Sequence, residues 1–193
     1  MRVLFLGPPR PVLYECLAQC GDIVVPFADP LDPSHPELVT AEFILSYGYR
    51  HILRPPTLQR HQGKAINLHI SMLPWNRGAD PNLWSFLENT PKGVTIHLLD
   101  EGIDTGPILY QERVSFSDHE TLNTAYEKLS FTIENLFCRN WPSIRSGTAP
   151  AKPQPGGGSY HRQADKRAYQ HLLSDGWDTP ITNIFGKALV KPS

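Results

Sequence analysis

Short apolar runs and polar breaks alternate along the first half of the chain. Val3-Leu-Phe-Leu6 reads as a buried strand, a helix candidate follows to about Cys20, and Ile23 to Phe27 reads as a second strand, so the chain opens as a βαβ unit. Residues 28 to 36 hold Pro30, Pro33 and Pro36, which exclude a regular helix or central strand there. Phe43-Ile-Leu-Ser46, Ala65-Ile-Asn-Leu-His69, Val94 to Leu99 and Ile108 to Val114 predict further strands. Ser117-Asp-His-Glu120 has the spacing of a capping box ahead of a long helix. On that helix Leu122, Ala125, Leu129, Ile133, Leu136 and Phe137 recur at three- and four-residue intervals and form one core stripe. The fold class expected is α/β, Rossmann-like, a mostly parallel sheet flanked by helices.

Gly147 to Gly158 carries Pro150, Pro153, Pro155 and three consecutive glycines, which marks an irregular crossing segment. Residues 1–146 are therefore expected to form the principal domain. Residues 147–193 are the crossing segment and C-terminal helices packed on it, one helix from Asp165 and one started by Thr179-Pro180.

At 193 residues the chain is of single-domain size, and its 18 basic and 19 acidic residues nearly cancel. No Lys/Arg run builds a basic stripe, which disfavours nucleic acid as a partner. The N-terminal apolar run is too short for a signal core, and no segment approaches the roughly 20 apolar residues of a membrane span, so a cytoplasmic location is expected. Cys16, Cys20 and Cys138 have no CxxC spacing, and Cys16 and Cys20, one helical turn apart, read as core-packing residues. Eight histidines show no HExxH or clustered Cys/His pattern, so no metal is expected. Gly156-Gly-Gly-Ser159 does not match a nucleophile elbow and reads as a flexible turn.

The strands at Ala65–His69 and Val94–Leu99 both end in loops dense in polar and glycine residues. In parallel sheets, ligands bind beyond the carboxyl ends of strands, which directs attention to Ile70–Asp80 and Asp100–Gly106. Asn67 and His69 are two apart on a strand, so their side chains leave the same face. An amide can donate to a developing oxyanion, and an imidazole can accept or return a proton near neutral pH. Such a histidine needs a carboxylate to orient it, and the loop from Asp100 to Gly106 offers candidates. Asn-x-His on its own is more often structural hydrogen bonding than catalysis. His97, alternating with Thr95, is read as a structural hydrogen-bonding residue.

Asn67-Leu-His-Ile-Ser-Met-Leu-Pro-Trp-Asn-Arg-Gly78, followed by Pro81, Trp84, Gly93-Val-Thr-Ile-His97 and Asp100-Glu-Gly-Ile-Asp-Thr-Gly106, resembles the folate-dependent formyltransferases. That family includes glycinamide ribonucleotide transformylase, methionyl-tRNA formyltransferase, sugar-nucleotide N-formyltransferases and the formylation domains of non-ribosomal peptide synthetases. The resemblance extends more weakly from Val3 to about Arg167. Asn67 arrives early for the family, implying a shortened N-terminal half.

The resemblance implies direct formyl transfer from 10-formyltetrahydrofolate to a primary amine, with Asn67, His69 and Asp104 catalytic. It places the donor pocket on Tyr49, Arg50, His51, Ile52 and Leu53 and on Leu98, Leu99, Asp100, Glu101, Gly102 and Ile103. Ser71, Trp75 and Arg77 are the candidates for contact with the acceptor, Arg77 toward an anionic group and Trp75 along the cleft wall. Gly7-Pro8-Pro9-Arg10-Pro11 lacks the N–H donors of a phosphate-cradling loop and the dinucleotide fingerprint, which disfavours glycinamide ribonucleotide and a nicotinamide cofactor. Initiator tRNA is disfavoured because the chain leaves no room for a second, RNA-binding domain. A 4-amino sugar of a sugar nucleotide is the acceptor expected; the alternatives are an aminoacyl group on a peptide-synthetase carrier protein and another small natural-product amine. A non-catalytic folate-binding module and an amide or ester hydrolase using Asp104 and His69 are the readings of other classes.

Overall fold

The computed structural model describes residues 1–189. Its strands are β1 (Arg2–Leu6), β2 (Ile23–Phe27), β3 (Phe43–Ser46), β4 (Ala65–His69), β5 (Arg77–Gly78), β6 (Gly93–Leu98), β7 (Ile108–Arg113) and β8 (Tyr160–His161). Its α-helices are α1 (Pro11–Gln19), α2 (Pro36–Thr40), α3 (Pro55–Arg60), α4 (Pro81–Leu87) and α5 (Leu122–Arg145). Six strands form one sheet in the order β2-β1-β3-β4-β6-β7, and β5 and β8 form a separate parallel pair. The pairings β1–β2, β1–β3 and β3–β4 are parallel, as the βαβ opening predicts. β6 runs antiparallel to both β4 and β7, so the sheet is mixed rather than wholly parallel.

Strand alternation sorts side chains to two faces. Val3, Phe5, Phe43, Leu45, Ile66, Leu68, Val94 and Ile96 point to one face, where Leu13 and Leu17 of α1 and Leu129, Ile133, Phe137 and Trp141 of α5 cover them. Truncating one of these large buried side chains to alanine costs about 2–5 kcal/mol. Leu4, Leu6, Ile44 and Ala65 point to the other face and pack with Leu38, Leu53 and Leu58. On that second face β4 and β6 carry polar residues instead: Asn67 pairs with His97 and His69 with Thr95. The apolar layer thus gives way to a polar one in the middle of the sheet.

All six positions of the predicted α5 stripe are buried. The cap lies later than expected: Thr121 and Thr124 close the capping box, while Ser117 and Glu120 form a turn just ahead of it. The chain beyond 147 also departs from expectation. Asp165–Leu172 is 3-10 instead of α-helical and fully buries no residue, with Tyr169 and Leu172 resting half-buried on the apolar cluster of Leu83, Trp84, Phe86 and Leu87. Beyond Pro180 the described residues form two short 3-10 turns, Ile181–Asn183 and Lys187–Leu189, instead of a helix, while Thr179 and Pro180 are held extended against the start of α5. Ile181 and Ile184 close a third apolar cluster with Leu83, Trp84, Phe86, Leu87, Leu122 and Ala125. Among the described residues no helix is long and apolar enough to cross a membrane.

Candidate active site

β4 delivers Asn67 and His69 to the polar face, and the β6–β7 hairpin loop delivers a carboxylate between them. Because β6 is antiparallel, that loop leaves the sheet at the amino end of β4, where Leu99 N–H bonds Ala65 O at 2.8 Å, and folds back over the face. Asp104 sits at the fold-back with φ +54, in the left-handed region that aspartate tolerates better than most residues. Gly106 is required behind it, since a Cβ there would overlap the carbonyl of Leu98. Gln154, from the crossing segment, clamps the loop by donating to the carbonyls of Asp104 at 2.8 Å and Gly106 at 2.9 Å.

Four groups converge on the Asp104 carboxylate. Gly78 N–H donates to Oδ2 at 2.8 Å and Asn67 Nδ2 to Oδ1 at 3.1 Å. His97 Nε2 lies 3.4 Å from Oδ1, and His69 Nδ1 lies 3.5 Å from Oδ2. Burial opposes charge on Asp104, but the neighbouring His69, His97 and the Gly78 N–H outweigh it and hold the carboxyl well below the usual carboxylate range. Burial also pushes His69 below the ordinary imidazole value, against the pull of the Asp104 charge. These two influences conflict, since His69 draws on Asp104 fully only when charged. We take the pair as a carboxylate beside a neutral imidazole, because Gly78 and Asn67 hold the carboxylate without help from a charged ring.

The tautomer of His69 follows from its other contact. Nε2 lies 3.0 Å from the carbonyl of Asn76, a separation that needs a proton on Nε2. Nδ1 then carries the lone pair on the Asp104 side, ready to accept a proton that the carboxylate would stabilise. Asn67 commits one N–H to Asp104, and its second faces His97 Nε2 at 3.4 Å. His97 Nδ1 is tied to the carbonyl of Leu98 at 2.8 Å, which fixes the ring in place. The sequence reading gave His97 only a structural bond; the structure puts its ring against the central carboxylate. The signal was available in the strand period, since Thr95 and His97 share a face and pair with His69 and Asn67.

Of the proposed acceptor contacts, Ser71 is a correction. It is buried and donates its hydroxyl to the Trp75 carbonyl at 2.7 Å, so it shapes the turn and does not reach the cleft. Thr95 pins the same turn, donating to Ser71 O at 2.7 Å and accepting from Leu73 N–H at 3.1 Å. Trp75 is exposed beside it. Arg77, Ile103, Thr105 and Tyr160 line a cavity of about 300 Å³. Arg77 donates to Gly157 O at 3.3 Å, and its buried Nε has no partner among the described residues. Gly156–Ser159 is likewise not a free turn: Gly158, at φ +90, lies against the Pro74 carbonyl, and Ser159 is bonded into the loop.

The two stretches assigned to the donor pocket come together. Tyr49, Leu53 and Leu99 pack in the same apolar cluster, and Tyr49 hydroxyl donates to Asp29 O at 2.8 Å. Arg50, His51 and Ile52 are exposed beside them, as are Asp100, Glu101, Gly102 and Ile103 on the loop. Leu98 is half-buried against the main core. Asp100 shapes the loop by accepting from Thr105 Oγ1 at 2.7 Å and Gly102 N–H at 3.1 Å.

This arrangement has clear relatives. The chain superimposes with a TM-score of 0.95 on the formyltransferase PseJ from Anoxybacillus kamchatkensis, solved with UDP-4,6-dideoxy-4-formamido-L-AltNAc and tetrahydrofolate. The two are 52% identical, over 97% of this chain and 100% of that one. A 4-N formyltransferase from Francisella tularensis shares the fold, with a TM-score of 0.75 and 21% identity over 89% of this chain and 79% of that one. Methionyl-tRNA formyltransferase of Thermodesulfovibrio yellowstonii is 36% identical over 148 residues, which are 75% of this chain and 46% of the relative. The chain thus spans about half the length of the curated relatives it matches. The formyl transferase family profile matches residues 34–140, more than half of the sequence, and the chain belongs to that family.

Proposed function

We propose that this chain is a cytoplasmic N-formyltransferase that moves the formyl group of 10-formyltetrahydrofolate to the amine of a 4-amino sugar carried on a nucleotide. The observation that carries the reading is the meeting of Asn67, His69 and Asp104 around one buried carboxylate. The match to PseJ, over nearly the whole of both chains, supports the sugar nucleotide as acceptor over an aminoacyl carrier. The residues fit a reduced-folate donor. The second N–H of Asn67 is held only by the long 3.4 Å contact to His97 Nε2, and the donor-pocket stretches leave Tyr49–Ile52 and Leu99–Ile103 at least partly open to solvent.

The donor supplies the formyl carbon and a nitrogen leaving group. Asn67 turns the N–H that faces His97 Nε2 to the formyl oxygen, exchanging a long contact for a bond that strengthens as negative charge builds there. The amine must lose a proton as it attacks, and the leaving nitrogen must gain one. His69 carries that proton at Nδ1, and Asp104 stabilises the imidazolium that results. Trp75 and Arg77 border the acceptor side, Arg77 toward the anionic part of the acceptor. Tyr49, Arg50, His51, Ile52, Leu53, Leu98, Leu99, Asp100, Glu101, Gly102 and Ile103 would hold the donor.

Incubation with 10-formyltetrahydrofolate and a panel of nucleotide-linked amino sugars, aminoacyl-carrier mimics and no acceptor tests this by product mass. Formylated 4-amino sugar nucleotide, absent with His69→Ala, is expected. Product only on the carrier mimic would replace the acceptor. Formate release without amine would indicate a hydrolase, and folate binding with no turnover a binding module.

A further inference from the structure

Behind His69 lies a second buried polar cluster that the formyl-transfer reading leaves without a role. Its centre is Asn76, fully buried and held at φ +57. The Asn76 side chain donates to Glu88 Oε2 at 3.2 Å and accepts from Thr90 Oγ1 at 2.7 Å. Its backbone N–H donates to Ser159 Oγ at 3.0 Å, and Ser159 in turn donates to Glu88 Oε2 at 2.8 Å. His161 Nε2 approaches Glu88 Oε2 to 3.2 Å, outside hydrogen-bond alignment. The His161 ring stacks on Trp84 with centroids 3.8 Å apart and planes 6° from parallel. With its side chain and N–H committed, Asn76 has one outward-facing group left. That group is the carbonyl, and it meets His69 Nε2 at 3.0 Å.

Ser159 and His161 lie beyond residue 140, where the family match ends, yet they close this cluster through the β5–β8 pairing. We propose that Glu88, Ser159 and His161 are positioning residues that act through the Asn76 carbonyl to hold His69 in the tautomer with Nε2 protonated and Nδ1 free toward Asp104. The proposal rests on the formyl-transfer reading for its kinetic consequence but not for its structural one. A ring released from the carbonyl can place its proton on Nδ1, against Asp104, and then offers no base on that side. It also gains freedom to rotate, and misplacement of a reacting group by about 1 Å can cost on the order of a hundredfold in rate. Glu88 remains a carboxylate in the wild type: burial pushes it up, but His161 and Ser159 outweigh this and hold it below the ordinary glutamate value.

The test uses the full chain, labelled with ¹⁵N-histidine and free of ligand, in wild type, Ser159→Ala and Glu88→Gln. The His69 signals are identified by their loss in His69→Gln. Wild-type His69 should show a protonated Nε2 and an unprotonated Nδ1, and both variants should show mixed tautomers. In formyl transfer both variants should lose about tenfold to a hundredfold in kcat, with KM for donor and acceptor within about twofold. Mixed tautomers in the wild type, unchanged tautomers in both variants, or a kcat loss matching only the unfolded fraction from thermal melts would overturn the proposal. Ser159→Ala removes one oxygen without altering the backbone, so it remains informative if Glu88→Gln fails to fold. If the wild type formylates no amine, the tautomer measurement still decides the brace while the reaction reading fails separately.

Discussion

Asp104→Asn preserves the shape of the central side chain and changes only its charge and one acceptor. In the wild type, Gly78 N–H meets Oδ2 at 2.8 Å and Asn67 Nδ2 meets Oδ1 at 3.1 Å, so each oxygen has its own donor. An asparagine has one acceptor oxygen. Turned toward Gly78, it sets its amide N–H against that of Asn67; turned the other way, it opposes Gly78. One charge-assisted bond is therefore lost whichever way it turns, at about 1.5–3 kcal/mol, and a buried donor is left unpaired. Relief of the cost of burying a charge works against this, so a net loss of roughly 2–3 kcal/mol is expected. In a chain of this size that lowers Tm by about 4–12 °C. The kinetic effect should be larger, because His69 loses the counter-charge that stabilises its protonated form. A fall in kcat of about 10²–10⁴ is expected, with folate KM within about twofold. Initial rates of product formation by mass, with folate affinity from tryptophan quenching, give the comparison. A variant within about threefold of wild-type kcat would refute the role given to the carboxylate.

Two further outcomes are expected. Gly106→Ala should displace the Asp104 loop, because the new Cβ runs into the Leu98 carbonyl; a cost of about 1–3 kcal/mol is expected, and stability together with kcat should fall, which a melt and a rate measurement check. Stability should also decline as pH falls below about 6.5: burial holds folded His69 below that value, so the unfolded chain binds the extra proton first. Asp104 adds to the decline lower down, since its folded value lies below that of the unfolded chain and its contribution, full above about 4, is lost as pH drops toward the folded value. Denaturant midpoints from pH 8 to 4 should therefore fall, and His69→Gln should flatten the slope between about 6.5 and 5; an identical slope in the variant would count against a buried neutral imidazole.

The parallel half of the sheet was legible because β1, β2, β3 and β4 are short apolar runs broken by Pro, Gly and polar clusters. Local pattern does not encode strand direction, so the run that forms β6 read as a strand without a direction. A usable signal was present: only the stretch from Leu99 to Pro107 joins β6 to β7, shorter than the dozen or more residues a parallel crossover needs. The cap of α5 was misplaced for a different reason. Ser117 and Glu120 do bond each other, but they close a turn, and the residues that satisfy the first helical N–H groups are Thr121 and Thr124. Sequence spacing identifies a pair that can bond without saying which N–H groups are left open.

Asn67 and His69 were legible as a pair because two residues apart on a strand is a statement about one face. Asp104 was legible only through resemblance, since nothing local distinguishes it from Asp100 or Glu101. The structure supplies the physical distinction: Asp100 is exposed and turns inward on its own loop to Thr105, while Asp104 is carried back over β4 by the left-handed residue and the close packing at Gly106. Gln154, Ser159 and His161 were invisible because their partners lie roughly 50 to 85 positions away, and no period connects them. Their common effect shows why a proline- and glycine-rich segment is used there. It passes close to the Pro74 carbonyl at Gly158 and pairs with Ile108 at Lys152. From those two fixed points it places side chains on both sides of the site, on the carboxylate loop through Gln154, just past Lys152, and on the imidazole loop through Ser159, just past Gly158. A segment of regular helix would bury its backbone groups in its own ladder and leave neither the close approach at Pro74 nor the strand pairing at Arg77 and Gly78. The same irregularity that made the segment read as a linker is what lets it hold both halves of the site.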